Sequence, residues 1–288
     1  MMDFIGYRRI AFVISGVLIF IGIFQVWKKK GGNFGIDFRG GTLVQLRFKK
    51  EIKVEKIREV LEKNGFKDTN IQEVIGSNSF IFRFPVMEKS EDLSFRIENL
   101  FKEIDPDVII ERIEMVGPVV GKYLIKLALK AFIFAFLGII VYIGIRFKGT
   151  IWGVSAVIAL VHDVFITFGL LNLVGCEISL VVVSGLLLLA GYSVNDTIVV
   201  YDRIRENLRL KGGKDLKEIF NLSIRQTLSR TLITSITTLL VVLALFFFGG
   251  EVIHDFSITL LFGIIIGTYS SIFIASPIVW SFLEKEGR

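Results

Sequence analysis

The sequence predicts an α-helical membrane protein with one small α+β domain outside the membrane, and three observations lead to this fold class. Hydrophobic residues make up 52% of the 288 residues, and Phe alone occurs 27 times. Charged residues concentrate in 28–122 and 201–230, whereas long stretches elsewhere carry almost none. Six of those stretches are long enough to cross a hydrocarbon core of roughly 30 Å. They are 10–27, 124–145, 151–174, 178–200, 231–248 and 256–282.

The first stretch has features of a signal peptide, but it lacks a small-residue cleavage site and is followed by Lys28, Lys29 and Lys30. We interpret it as a retained helix. Lys and Arg are abundant in the loop after the second stretch, in 201–230 and in the C-terminal tail, and absent from 175–177 and 249–255. The positive-inside rule therefore predicts that both termini are cytoplasmic and that 31–122 lies outside.

Residues 31–122 have the pattern of a soluble domain. Residues 41–48 alternate apolar and polar side chains, as a strand does. Two segments, 54–64 and 93–104, place apolar residues on one helical face. Three more strands are predicted at 71–75, 80–84 and 108–116, with a hairpin signal at Gly76-Ser77-Asn78. The order βαββαβ predicts a ferredoxin-like unit.

The basic connection 203–228 has Leu216, Ile219, Phe220 and Ser223 on one helical face. This pattern is compatible with an amphipathic helix in the membrane interface and, equally, with a solvated loop helix.

Two ionisable residues lie within or at the edge of apolar stretches. Asp196 comes late in the fourth and Arg230 begins the fifth, so topology places both at similar depth on the cytoplasmic side. A charge at the centre of a span costs about 2.5–3.5 kcal/mol on insertion scales. The two side chains could pair, each lowering the other's desolvation cost. Such an aspartate suits the loading and release of a proton, and a static pair that fixes helix packing is the alternative.

A second polar pair, His162-Asp163, falls near the middle of the third stretch. It suggests a proton relay or a buried hydrogen-bonded network. The fifth stretch is rich in hydroxyls, which either line a wet path or bond across helices, and Thr234 among them is a candidate for the same relay or polar network. The sixth has a small-residue stripe that predicts close helix packing. The stripe consists of Gly263, Gly267, Ser271 and Ala275.

Several classes of function find no support in the sequence. The net charge of +6 reflects basic loops flanking spans, and no basic-aromatic module for nucleic acid is present. The single cysteine, Cys176, cannot form an internal disulfide, and no Cys/His cluster suggests a metal. The glycine-rich segment 35–42 lacks the Lys-Ser/Thr ending of a phosphate loop. We expect no enzymatic activity, no cofactor, no metal and no nucleic-acid partner.

Four segments together resemble the SecF family, the accessory membrane subunits of the Sec protein-export machinery. Residues 35–42 read GIDFRGGT and 192–207 read YSVNDTIVVYDRIREN. Residues 160–163 read LVHD and 229–235 read SRTLITS. The resemblance covers the whole chain. The pair Asn195-Asp196 favours SecF over its sister subunit SecD.

The resemblance implies a role that residue spacing does not show. SecF pairs with SecD, both belong to the superfamily of proton-driven efflux pumps (RND type), and the complex works with the SecYEG channel. The implied function is to use the proton gradient to pull an exported polypeptide outward. The family links the residues that match Asp196 and Arg230, with Asn195 beside them, to proton passage. It gives structural roles to a set of signature residues. These are Asp37, Arg39, Gly40, Gly41, Asp202 and Arg203.

We therefore expect three parts: a cytoplasmic N-terminus with the first helix (1–30), an outer domain (31–122), and a five-helix bundle (123–288) with a cytoplasmic loop (201–230). The expected partners are a SecD-like subunit, the SecYEG channel, the exported polypeptide and the lipid bilayer of the cytoplasmic membrane.

Three alternatives remain at this stage. One is a small-molecule efflux subunit of the same superfamily, for which the outer domain is small. Another is an intramembrane aspartyl protease using Asp163 and Asp196, which requires two carboxylates at one depth. The last is a translocase scaffold without ion coupling.

Overall fold

The computed structural model describes residues 3–28, 33–66, 69–74, 77–85, 93–210 and 215–286. In chain order its elements are α1 (Arg8–Lys28), α2 (Ile36–Arg39), β1 (Gly41–Arg47), α3 (Val54–Lys63), β2 (Asn70–Glu73), β3 (Ser79–Phe84), α4 (Leu93–Lys102), β4 (Ile109–Val116), α5 (Pro118–Phe147), α6 (Thr150–Leu173), α7 (Leu180–Leu210), α8 (Leu216–Phe248), α9 (Gly250–Ser270), a π-helical turn (Ser271–Ala275) and α10 (Ser276–Lys285).

The chain forms two compact units. One comprises Met1–Asn33 and Leu129–Arg288, and the other is Phe34–Ala128. Some residues used in the sequence predictions lie outside the described ranges. These are Lys29, Lys30, Ile75, Gly76, Lys211, Lys214 and Arg288.

In the described part of the chain, six helical segments are long and apolar enough to cross a membrane, which confirms the predicted number of spans. They are α1, α5, α6, α7, α8 and a last segment, Ile253–Lys285, that joins α9, the π-helical turn and α10. The exposed surfaces of α1 and α5 are covered with large apolar side chains such as Phe20 and Phe134. Such surfaces are suited to lipid, because their side chains are apolar and the backbone polar groups are hydrogen-bonded within the helix.

The connection 203–228 corrects the sequence analysis. It is neither an interfacial helix nor a solvated loop helix, because α7 continues to Leu210 and α8 begins at Leu216 and runs unbroken into the fifth span. The predicted apolar face is real, but it packs inside the bundle: Phe220 and Ile224 are fully buried in the same core as Tyr201. The loop expected over 201–230 is therefore mostly two helical extensions.

The π-helical turn interrupts the last span where its small-residue stripe ends. A π turn leaves carbonyl groups without their usual partners, so other donors must meet them. The fully buried Tyr201 hydroxyl donates to the Ala275 carbonyl at 3.3 Å, and Ser276 Oγ donates to the Ser271 carbonyl at 2.8 Å. Ser155 on α6 contacts the same Tyr201 hydroxyl at 2.8 Å.

The second unit is the ferredoxin-like domain that the sequence predicts. Its four strands lie in the order β2-β3-β1-β4, and each neighbouring pair is antiparallel. The register places Val44 opposite Phe82 and Leu46 opposite Phe80, so these side chains face one side of the sheet together. Leu61 and Phe101 from α3 and α4 pack in the same buried cluster. The alternation of β1 thus identified the core-facing side.

The entry into β1 requires glycine. Gly40 and Gly41 have φ values of 77° and 134°, which L side chains rarely adopt. A Cβ at Gly41 would also lie 2.4 Å from the Phe84 carbonyl oxygen of the neighbouring strand. At the start of α5, a Cβ at Gly121 would lie 2.7 Å from the Phe38 carbonyl oxygen. The sequence motif at 35–42 is therefore a close-packed turn.

Candidate functional site

Among the described residues of the helix bundle, two clusters of buried polar side chains contain Asp196 and the His162-Asp163 pair. The Asp196 cluster consists of Asp196 on α7, Ser235 on α8 and Thr268 on α9. The His162 network is larger and draws on four helices. Its members are Ser15 on α1, His162 and Asp163 on α6, Ser193 on α7, and Tyr269 and Ser270 on α9.

In the Asp196 cluster the carboxylate meets only hydroxyl groups. Asp196 is 3% exposed, and Ser235 Oγ donates to its Oδ2 at 3.3 Å. The Ser235 hydroxyl also lies 2.7 Å from the hydroxyl of Thr268. The sequence placed Asp196 in the cytoplasmic part of the fourth span, and the structure adds that three helices enclose its side chain. A buried carboxylate with so few donors favours a neutral form or a nearby cation.

The expected pair between Asp196 and Arg230 is not formed. Arg230 is exposed, and within the described part of the chain no hydrogen bond or ion pair joins the two side chains. Arg230 nevertheless lies within electrostatic range of the carboxylate. The arrangement therefore places a cation beside the site without neutralising it.

Two predicted residues remain: Asn195, expected at the proton-coupling site, and Thr234, expected in a relay or polar network with His162 and Asp163. Thr234 lies beside Asp196, and its hydroxyl also donates to the carbonyls of Arg230 and Thr231, at 3.0 and 2.9 Å. Such bonds to the preceding turn are common for Thr within a helix. Asn195 is exposed on the outside of α7. Asn195 directly precedes Asp196 in the chain, but its side chain is exposed whereas that of Asp196 is buried.

In the His162 network, the second polar pair lies in a buried hydrogen-bonded arrangement. His162 Nδ1 lies 2.9 Å from Asp163 Oδ1, and both Ser193 and Ser270 donate to Asp163 Oδ2 at 2.7 Å. On the other side of the ring, His162 Nε2 lies 2.8 Å from Ser15 Oγ. Asp163 is completely buried, so three contacts to its carboxylate compensate its desolvation.

Glycine residues bring the helices of the network together. A Cβ at Gly267 would lie 3.0 Å from Ser193 Cβ and Oγ, so its absence lets Ser193 approach α9. A Cβ at Gly263 would lie 2.6 Å from the Leu189 side chain. This confirms the helix packing predicted from the small-residue stripe, which contacts α7. Between α1 and α6, Gly22 and Gly169 meet backbone to backbone.

The signature residues after Asp196 connect helix ends. Arg146 Nη2 lies 3.2 Å from Asp202 Oδ2 and ties the end of α5 to α7. Arg203 donates to Gln226 Oε1 on α8 at 2.6 Å and to Glu206 Oε2 at 2.6 Å. These bonds fix the helical extensions that replace the expected loop. Asp37 and Arg39 lie in α2, immediately before the paired glycines.

Sequence reasoning missed most partners of the two clusters. The sequence pattern identifies Ser235 only as one of several hydroxyls in the fifth stretch. It does not single out Ser15, Ser193, Thr268 or Ser270. A signal existed, since each is a small polar residue inside an apolar stretch. No group of three or more His, Cys, Asp or Glu that could hold a metal occurs among the described residues.

Comparison with known proteins assigns the family. The family profile "Protein export membrane protein SecD/SecF, C-terminal" matches residues 96–285, and the profile "SecD/SecF GG Motif" matches residues 33–52. The second match covers the turn built around Gly40 and Gly41. The first covers α5 to α10, with the whole Asp196 cluster and every member of the His162 network except Ser15 on α1.

Individual relatives are similar over nearly their full length. The protein translocase subunit SecF of Calditerrivibrio nitroreducens is 46% identical over 285 residues, which cover 97% of this chain and 93% of the relative. The SecF subunit of Haemophilus influenzae is 39% identical, with coverage of 96% and 85%.

A solved structure shows the same fold. The crystal structure of SecDF, a translocon-associated membrane protein from Thermus thermophilus, matches with a TM-score of 0.88 and 37% identity over 100% of this chain. This chain spans 39% of the SecDF chain. The fold, the turn at the paired glycines and the relatives agree, and the chain therefore belongs to the SecF family of protein translocase subunits within the SecD/SecF protein export membrane proteins.

Proposed function

We propose that this chain works with a SecD-like subunit and assists the export of polypeptides through the SecYEG channel of the cytoplasmic membrane, driven by the proton gradient. The relatives named above are protein translocase subunits, and in SecDF a chain of this fold makes up 39% of a longer translocon-associated protein. A separate SecD-like chain would supply the remainder. Both termini are placed in the cytoplasm and the ferredoxin-like domain outside, on the Lys/Arg distribution of the loops.

The observation that carries the proton coupling is the environment of Asp196. Its carboxylate is 3% exposed within a membrane-spanning helix and is met by the Ser235 hydroxyl at 3.3 Å. Hydroxyl donors alone do not compensate a buried carboxylate, so binding a proton is the simplest way to remain in this environment. Ser235 and Thr268 form a short line of hydroxyls at which a proton can be received.

Arg230 provides the alternative partner in a two-state cycle. In the arrangement described here Arg230 is exposed and unpaired with Asp196, which corresponds to the proton-loaded state. When α8 moves so that the guanidinium reaches the carboxylate, the ion pair replaces the proton and releases it. One charge that crosses the membrane yields about 2.3 kcal/mol per 100 mV, enough to shift a two-state bundle appreciably.

The alternatives make different demands on the site. An aspartyl protease needs two carboxylates that share one proton. Asp163 bonds to His162, Ser193 and Ser270, whereas Asp196 bonds to Ser235, so the two belong to separate clusters. A scaffold without ion coupling predicts that the charge of Asp196 has no effect on export. A small-molecule efflux subunit predicts substrate binding in the outer domain.

The test is export in inverted membrane vesicles that carry Asp196→Asn, with and without an uncoupler. We expect the variant to assemble normally and to lose stimulation by the gradient, because Asn cannot exchange a proton. Arg230→Lys should retain partial stimulation, since a point charge replaces the guanidinium.

Asp202→Asn is the matched control. Asp202 lies six residues further along α7, is partly exposed and pairs with Arg146 rather than with the cluster. It should keep gradient-stimulated export. If Asp196→Asn still responds to the gradient as the wild type does, proton coupling at Asp196 is wrong and the scaffold interpretation is favoured.

A further inference from the structure

The His162 network contains a directed chain of hydrogen bonds that ends on α1. Tyr269 Oη lies 2.9 Å from the carbonyl oxygen of Ala11 and 3.3 Å from Ser15 Oγ. A carbonyl oxygen can only accept, so the Tyr269 hydroxyl donates to Ala11. Its oxygen is then available as an acceptor for Ser15. The direction of the remaining bonds follows from this fixed end.

Two protonation states of the His162-Asp163 pair can be compared by counting donors. With no extra proton, Asp163 is a carboxylate and the neutral ring donates from Nδ1, so Nε2 must accept the hydrogen of Ser15. The contact between Ser15 and Tyr269 then has no hydrogen in it, because the tyrosine hydrogen is used at Ala11.

With one extra proton, every contact has a hydrogen. Nε2–H donates to Ser15, Ser15 donates to Tyr269, and Tyr269 donates to the Ala11 carbonyl. The proton between Nδ1 and Asp163 Oδ1 can be assigned to either atom without changing this chain, because both assignments leave a hydrogen on Nε2. Ser193 and Ser270 donate to the other carboxylate oxygen in either case.

We propose that His162 and Asp163 form a second proton-binding site, separate from Asp196, in which the bound proton completes a hydrogen-bond chain that holds α1 on the bundle. The 2.9 Å contact between Nδ1 and Oδ1 holds one hydrogen in both states, and the extra proton is the hydrogen on Nε2. The hydrogen bond between Nε2 and Ser15 connects the bound proton to α1. Loss of the proton reverses Ser15 and removes the connection to Tyr269.

Among the described residues, no other charged side chain bonds to the pair. Among the described contacts α1 supplies Ser15 and the Ala11 carbonyl, α7 supplies Ser193, and α9 supplies Ser270 and Tyr269. The π-helical turn has no titratable residue, and the acidic and basic residues of α10 are in its last turn, at Glu284 and Lys285. Asp196 on α7 bonds to Ser235 instead. Tyr269 is a further titratable group within the network.

The proton can be located directly because the chain has only two histidines, His162 and His254. The full chain with His254→Gln is labelled with ¹⁵N at histidine, placed in lipid nanodiscs, and studied by NMR for hydrogens on each ring nitrogen. We expect a hydrogen on Nε2 of His162 at about pH 7, in addition to the one shared with Asp163. An Nε2 without hydrogen at that pH overturns the proposal.

Two tyrosine variants test the direction of the chain. Tyr269→Phe removes the acceptor that Ser15 uses only in the proton-loaded state, so the ratio of hydrogen-bearing to bare Nε2 should fall about fivefold, the effect of one neutral hydrogen bond. Tyr192→Phe is the matched control, because Tyr192 bonds to Thr238 on α8 and not to the network. An unchanged ratio in Tyr269→Phe contradicts the chain.

The proposal concerns proton chemistry, as the proposed function does, but it depends on different atoms. Asp196→Asn should leave the Nε2 hydrogen of His162 in place. A normal Nε2 signal together with unaltered export in Asp196→Asn would refute the proposed role of Asp196 and leave the His162 site standing. An Nε2 without hydrogen, together with lost gradient coupling in Asp196→Asn, would refute the His162 site and leave the proposed role of Asp196 standing.

Discussion

Replacing Gly169 with alanine should separate α1 from α6. A Cβ at Gly169 would lie 2.7 Å from the Cα of Gly22, and a Cβ at Gly22 would lie 2.9 Å from the Cα of Gly169. Carbon atoms in contact normally lie about 3.5–4.0 Å apart. The obstacle is backbone, which cannot rotate away, so the two helices must move apart by roughly 1 Å.

The energetic cost follows from the packing of the two helices. Overpacking a tight contact costs about 1–3 kcal/mol, and the same shift stretches the bond between Ser15 Oγ and His162 Nε2, now 2.8 Å. Ser15 and His162 lie two turns before Gly22 and Gly169, on the same pair of helices. We therefore expect Gly169→Ala to lower the free energy of unfolding, as measured by denaturant unfolding of the purified chain in detergent.

Gly16→Ala on α1 is the matched control, because no atom lies within 4 Å of its Cβ position. Both variants gain the helix propensity of alanine, about 1 kcal/mol per residue. Their difference therefore isolates the contact, and Gly169→Ala should be less stable than Gly16→Ala by about 1–3 kcal/mol. Equal stability of the two variants would show that α1 and α6 do not meet at these glycines.

Three further predictions concern other parts of the chain. Gly267→Leu should lower the free energy of unfolding by more than about 3 kcal/mol and impair assembly, because the leucine side chain would enter the space of Ser193. A melting temperature equal to that of the wild type would contradict this. Hydrogen bonds from Lys217 and Asn221 lower the pKa of Asp3 to about 2. The stabilisation from Asp3 should be present above about pH 4, its ordinary range, and lost as the pH falls toward about 2. Asp3→Asn should remove this dependence in acid unfolding, with a cost below about 1 kcal/mol because the pair is partly exposed. A cysteine at Ser77, with Cys176→Ser as background, should react with an impermeant thiol reagent in intact cells; labelling only after lysis would refute the outward placement of the domain.

The sequence alone determined the parts of the architecture that depend on one-dimensional patterns. The length of an apolar run fixes whether it can span a bilayer, so all six spans were predictable. The alternation in β1 fixed which strand face is buried, and the element order fixed the ferredoxin-like topology. Asp196 and His162-Asp163 stood out because a polar group in an apolar run is costly.

Only the tertiary structure decided which side chains meet. Depth along a span placed Arg230 beside Asp196, but the rotation of α8 directs Arg230 to the surface and Ser235 to the carboxylate. Rotation and separation of helices also brought Ser15 to His162, although 147 positions separate them. Hydropathy indicates how deeply a residue lies in the membrane, whereas its partners depend on the azimuth of each helix. Close packing of neighbouring helices sets that azimuth, and here it depends on contacts such as Gly22 against Gly169.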